Sequence, residues 1–206
     1  MMGRNHLIVN GAVCAGSLGI CCSGVISKVS NVQDLSLSVL KYFYPASLCG
    51  NISWDLLSFW PIYLLCSLLL LAFGSLLPDI DSKESILGRF LYLPVRHRTW
   101  THSIWFVIPL VCLGLIHPIL RFIWLGCFLH ILADEFSRGG VCFLYPIHAY
   151  RRYPNGAFVA IGHKMKLYHT GDKSELRCVI AVCVISILIC AICFRGFISF
   201  WQWITI

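Results

Sequence analysis

The stretch Leu56–Asp81, LLSFWPIYLLCSLLLLAFGSLLPDID, decides how the rest of the chain is read. Residues 56–77 carry no charge and are long enough for a spanning helix, which needs about 20 apolar residues. Pro78 then stops the helix, and Asp79 and Asp81 follow at once. A lipid-length helix that ends in two carboxylates predicts ionisable groups held at a membrane face.

The rest of the 206 residues fits that start. Hydrophobic residues make up 58% and charged residues only 12%, where a soluble domain has about a quarter charged. The mean hydropathy is +0.79, an apolar excess that calls for lipid. Four more apolar segments lie at 7–27, 103–117, 119–133 and 178–194. The expected fold is all-α, a multi-span integral membrane bundle of four to five apolar helices forming one domain over 1–206. The third and fourth segments are short and meet at His117-Pro118, where proline disfavours a helical residue before it, so a tight helical hairpin is expected. The first segment follows Arg4 like a signal peptide, but no small-x-small cleavage site follows, so a retained helix is expected.

Twelve cysteines would mark a disulfide scaffold in a short secreted chain. Most here, such as Cys14, Cys66, Cys112, Cys127 and Cys183, sit inside apolar runs and read as reduced, buried, small hydrophobes. The CxxC at Cys190–Cys193 has no second ligand pair and reads as packing.

Following the chain up and down through the segments puts His6, Asp79, Asp81, His97, His102, His130 and Asp134 near one face. Most Lys and Arg residues share it, leaving Lys28, Lys41, Arg121 and Arg195 opposite, so the positive-inside bias makes that face cytoplasmic. The long 135–177 loop lies there too. The net charge of +7 is spread through loops without a basic helix, so it speaks for topology and lipid headgroups and against direct nucleic-acid binding.

Three motifs carry chemistry. In Pro78-Asp79-Ile80-Asp81, two carboxylates one residue apart in an extended turn offer hard oxygen ligands to one metal or a bridge between two, although a DxD alone is common in turns. In His97-Arg98-Thr99-Trp100-Thr101-His102-Ser103, Thr101 is placed to cap the third helix, two imidazoles can converge, and Arg98 can hold an anionic oxygen. Judged alone, the same run also reads as a basic interfacial loop anchored by Trp100. In His130-Ile131-Leu132-Ala133-Asp134, the i,i+4 spacing puts imidazole and carboxylate on one helical face, either as two ligands or as a ligand with its orienting partner. His6 gains meaning only by sharing that face. His117, His148, His163 and His169 lack carboxylates at ligand spacing, and neither a serine elbow nor a P-loop is present.

Three carboxylates crowded at apolar helix ends repel one another unless arginine or a cation intervenes. Two divalent ions with neutral histidines would leave the site at about +1, able to polarise a phosphate oxygen and activate a water as nucleophile. Zinc is the first choice and manganese or iron the alternatives, as one or two ions.

The order LLPDID, Ser85, HRxxTHS, HxxxD, with a Gly and a Pro beyond, resembles the YdjM family. These are inner-membrane-associated, LexA-binding proteins whose metal-dependent hydrolase activity is itself inferred. The likeness runs from His6 to about Pro146. It departs at Thr99, where the family often has glycine, and at Ser137, where it has threonine. The resemblance implies a multi-pass bacterial inner-membrane protein with His6, Asp79, Asp81, His97, His102, His130 and Asp134 as metal ligands.

The expected function is a membrane-bound metal-dependent hydrolase that cleaves a phosphoester such as a phospholipid headgroup. Asp79 or Asp81 would bridge or act as base, and Arg98 would steady the anion. The competing expectation is a non-enzymatic membrane adaptor whose 135–177 loop binds a cytoplasmic protein, a LexA-like repressor. Small transporters are disfavoured because the carboxylates lie at helix ends and no pair of matching broken helices is present.

Overall fold

The computed structural model describes residues 3–25, 38, 42–43, 54–137, 140–146, 150–152, 158–160 and 167–204. Five α-helices lie within them: α1 (Gly3–Val25), α2 (Trp54–Leu76), α3 (Ile104–Ile116), α4 (Arg121–Glu135) and α5 (Lys173–Ile204). Each of the five apolar segments thus forms a helix. Among the described residues, no helix is long and apolar enough to cross a membrane.

The helices pack as neighbours: α1 along α5, α2 along α4, α3 against α4, and α1 against α2. Glycine sets the closest crossing. A Cβ on Gly74 of α2 would lie 2.0 Å from the Ile123 carbonyl oxygen, and one on Gly126 of α4 would lie 2.1 Å from that of Leu71. Small residues let two helix backbones touch here, as in membrane helix pairs. Asn10 fastens α1 to this α2–α4 crossing, its amide donating to Ser75 Oγ at 2.7 Å and to the Gly126 carbonyl at 3.1 Å.

The α3–α4 hairpin is present, and its turn follows from sequence. His117 is extended, Pro118–Leu120 form a 3-10 turn, and His117 Nδ1 accepts from the Ile119 amide at 3.3 Å. At about 1.5 Å per residue the two arms are only about 20 Å long, short of a hydrocarbon core of about 30 Å.

Several local expectations are corrected. Pro78–Asp81 form a 3-10 turn rather than an extended one. Thr101 does not cap α3: Trp100–His102 form their own 3-10 turn, Ser103 takes the cap position, and the Thr101 hydroxyl is spent on Asp81. Helix α5 begins five residues before the apolar run because Asp172 accepts from the Lys173 amide at 2.7 Å and its carbonyl takes the Glu175 amide, while Glu175 turns back to the Gly171 amide. The 135–177 region is not purely loop. It holds a short antiparallel pair, β1 (Tyr150–Arg152) with β2 (Phe158–Ala160), and its ends meet where the Leu167 amide donates to the Phe136 carbonyl at 3.0 Å.

Polarity is distributed inside out. Ile62, Leu65 and Leu69 of α2 and Ile180, Ile185 and Leu188 of α5 point outward and are exposed, whereas His6, Asn10, His102, His130 and Asp134 are buried. All seven cysteines with described side chains are free, but of the five expected to be buried only Cys127 is: Cys14, Cys66 and Cys183 are half-buried and Cys112 is exposed. The side chains of Cys190 and Cys193, and all of His148 and His163, lie outside the described residues.

Candidate metal centre

Four segments converge at one end of the bundle. The second turn of α1 brings His6, the 3-10 turn after α2 brings Asp79 and Asp81, the turn before α3 brings His97 through His102, and the last turns of α4 bring His130 and Asp134. All seven residues expected near one face lie in this one cluster.

Two carboxylates sit at its middle. Asp79 Oδ1 is 3.4 Å from His130 Nε2 and 3.8 Å from His102 Nε2. Asp134 Oδ2 is 3.5 Å from His102 Nε2 and 3.9 Å from His130 Nε2, and Asp134 Oδ1 is 3.3 Å from His6 Nε2. The His6 and His130 rings stack with centroids 3.6 Å apart. Despite this crowding, Nε2 of His6, His102 and His130 are all buried without a hydrogen-bond partner. An unsatisfied buried polar atom costs about 1–3 kcal/mol, so three aimed at one place call for a common partner.

The opposite ring nitrogens of His130 and His102 say what that partner is. His130 Nδ1 donates to the Ser75 carbonyl at 2.6 Å, and a carbonyl can only accept, so Nε2 presents a lone pair. Thr101 Oγ1 donates to Asp81 Oδ2 at 2.6 Å, which leaves it to accept from His102 Nδ1 at 3.0 Å. His102 Nε2 is then a lone pair as well, and burial lowers the His102 pKa, favouring the neutral ring. Burial raises the Asp79 carboxyl, and the imidazoles, His130 first, bring it below the usual carboxylate range only while they carry a proton toward it; with the tautomers above, a cation has to supply that charge. Lone pairs facing ionised carboxylates repel unless a cation stands among them, and fixing the far nitrogen with a carbonyl or hydroxyl is how proteins orient metal-binding histidines.

Two groups of ligand atoms can each hold an ion: His6, His130 and Asp134, and Asp79, His97 and His102, with the atoms of each group within 4.8 Å of one another. A buried mixture of imidazole and carboxylate fits a divalent transition metal.

Asp81 stands apart from both groups. Its Oδ1 is 2.7 Å from His97 Nδ1 and its Oδ2 takes the Thr101 hydroxyl, so this carboxylate orients two histidines. Burial lowers the His97 pKa, but the Asp81 contact more than reverses it, leaving the group raised. Arg98 has a positive φ of 64°, and the anionic oxygen it reaches is a protein one: Nη2 lies 3.3 Å from Asp134 Oδ2, while Nη1 donates to Ser137 Oγ at 3.2 Å. Ser137 in turn donates to the Asp134 carbonyl at 2.7 Å. The Arg98–Ser137 pair thus clamps the segment that carries Asp134.

Three contributors were absent from the sequence reading in these roles: the Ser75 carbonyl, Asn10 and the Thr101 hydroxyl. Asn10 and the pair Gly74-Ser75 were the available signals, a polar residue and a small-residue break inside otherwise apolar helices. Of the remaining histidines, His117 serves the far hairpin turn and His169 is exposed beside the start of α5.

A helical scaffold that buries histidines and aspartates at one end defines a candidate metalloprotein. The family model described as YdjM inner membrane protein matches residues 43–201, and the chain belongs to that family. Comparison with curated proteins and with solved structures gives no match.

Proposed function

We propose that this protein is a membrane-embedded, metal-dependent hydrolase of phosphoesters, with phospholipid headgroups as its substrate class. The observation that carries the reading is the convergence of three buried, unpartnered imidazole nitrogens on Asp79 and Asp134. His6, His130 and Asp134, with Asp79, His97 and His102, would hold one or two divalent ions, zinc first among them. Bound there, such a cation supplies the positive charge that polarises a phosphoryl oxygen and acidifies a water.

The chain's own groups do the rest. Ser75 and Thr101 fix the imidazole tautomers, Asp81 holds His97, and the Arg98–Ser137 clamp holds Asp134. His97 is the open member, its side chain 43% exposed, so substrate approaches from its side.

Membrane embedding is supported by the uncharged 56–77 run, the outward apolar side chains of α2 and α5, and the family's description as an inner membrane protein. With the uncharged 56–77 run set in the bilayer and the α3–α4 hairpin entering it from the face that carries His102, His130 and Asp134, the centre lies at headgroup depth on the cytoplasmic face. The test is turnover of phospholipid and short-chain phosphoesters by purified protein in mixed micelles. Wild type is expected to hydrolyse at least one of them, and an Asp79→Ala, Asp81→Ala double variant at matched expression is expected to lose that turnover. Equal turnover by both would reject the reading.

A further inference from the structure

The segment between the two aspartates and His97 does something the metal site does not explain. Residues 82–93 fold into a tight knuckle: the Ser85, Phe90 and Leu91 amides donate back to Ser82 and Leu87, and the Leu93 amide reaches the Ile80 carbonyl at 3.0 Å. Ser85 Oγ donates to the Asp79 carbonyl at 2.6 Å and accepts from the Gly88 amide at 2.8 Å. Gly88 is required here, because a Cβ would lie 2.0 Å from the Ser82 carbonyl oxygen. The knuckle is therefore fastened to the backbone of a candidate ligand, Asp79, and its outgoing segment leads directly to another, His97.

Its tip is apolar and open. Phe90 is 82% exposed, Leu91 62% and Ile86 49%. Lys83, Arg89 and Arg96 are exposed around them, with Glu84 the single acidic neighbour in the stretch, and the Lys83 ammonium lies 4.8 Å over the Tyr92 ring. A rigid loop spends no ordering entropy when it presents bulky apolar groups, and a ring of basic residues selects what they meet.

We infer that this knuckle is an interfacial docking element that inserts Phe90 and Leu91 among acyl chains and sets Lys83, Arg89 and Arg96 against the phosphates of an anionic phospholipid leaflet. The inference rests on the membrane reading above and deepens it, because it names an anionic phospholipid as the molecule delivered to His97. Apolar side chains at the acyl boundary backed by basic residues are the general signature of such contacts. Each basic residue near an anionic leaflet contributes about 1 kcal/mol, about fivefold in local lipid occupancy.

The test places the photo-crosslinker p-benzoylphenylalanine at Phe90 in full-length protein reconstituted into vesicles, with Leu69 on the exposed face of α2 as the comparison position. Vesicles of phosphatidylcholine alone are compared with vesicles containing phosphatidylglycerol, and adducts are read by mass. The expected result is lipid adduct at both positions, with the Phe90 yield rising several-fold with phosphatidylglycerol and that rise lost in Lys83→Glu, Arg89→Glu. Adduct at Leu69 but not at Phe90, a Phe90 yield indifferent to lipid charge, or a Phe90 adduct to protein would overturn the docking element while leaving the membrane reading standing. Lipid adduct at neither position would overturn both.

Discussion

The two ligand groups differ in how much of each the solvent reaches. His6, His130 and Asp134 are essentially inaccessible, at 0%, 0% and 1%, whereas the second group includes His97 with a side chain 43% exposed. The deep group is held by elements that meet only when the bundle is assembled: His6 from α1, the α4 pair, and the Ser75 carbonyl from α2. The rim group is held locally, by the Asp81–Thr101–His97 contacts within about twenty residues of chain. On the proposed reading, a metal held by the deep group would couple its binding to folding, while the rim group would admit substrate without disturbing the bundle.

The harshest way to break that division is Asp134→Ala. It removes a deep ligand and strands the Arg98 guanidinium, and losing one partner of a buried pair costs about 3–5 kcal/mol. Thermal unfolding in detergent should show the drop together with loss of bound metal. Chelation of wild-type protein comes next. A ligand at a hundred times its Kd stabilises by about 2.7 kcal/mol, so metal removal should lower the unfolding midpoint by a comparable free energy. The effect should be much smaller in Asp134→Ala, which has no deep group left to lose.

Gly126→Val probes assembly without touching a ligand. The added side chain meets the Leu71 carbonyl and forces α2 from α4, at about 1–3 kcal/mol, and should weaken metal retention by pulling Ser75 away from His130. Thr101→Val keeps the fold but frees the His102 tautomer and loosens Asp81. Loss of such an orienting contact typically lowers metal affinity by about 10–100-fold, measurable by competition with a chromogenic chelator. The mildest should be His97→Ala. Stability should fall by about 1 kcal/mol, low in the range for an oxygen that loses its partner because water can enter where the His97 ring stood, while phosphoester turnover falls far more than deep-site metal content. Equal losses of turnover and deep-site metal would erase the distinction between the groups.

Much of this was legible before any coordinates. The five apolar runs mark the helices because uncharged length and period survive without tertiary context, and His117-Pro118 marks the hairpin because proline restricts its predecessor locally. The shared face of His6, Asp79, His102, His130 and Asp134 followed from tracing chain direction alone. What stayed hidden depends on particular atoms. A DxD spacing cannot say that Asp79 faces the buried imidazoles of His102 and His130 while Asp81 faces His97 and Thr101, and the Ser75 carbonyl is a backbone group that no residue type announces. Arg98 was read for its charge, as the group that steadies a substrate anion, whereas the oxygen it reaches here is a protein one. That this oxygen belongs to Asp134 depends on a left-handed backbone at Arg98, which composition does not encode. The early start of α5 was hidden because Asp172 and Glu175 cap it from within a polar stretch.

The central claim is that the buried imidazoles and carboxylates exist to hold metal. Its most direct test is elemental analysis by inductively coupled plasma mass spectrometry of detergent-purified wild-type protein beside a folded Asp79→Ala, His130→Ala variant, with the buffer as blank. About one or two divalent ions per wild-type chain, lost in the variant, is the predicted result. No metal in either protein, persisting after reconstitution with zinc, manganese and iron, would contradict it.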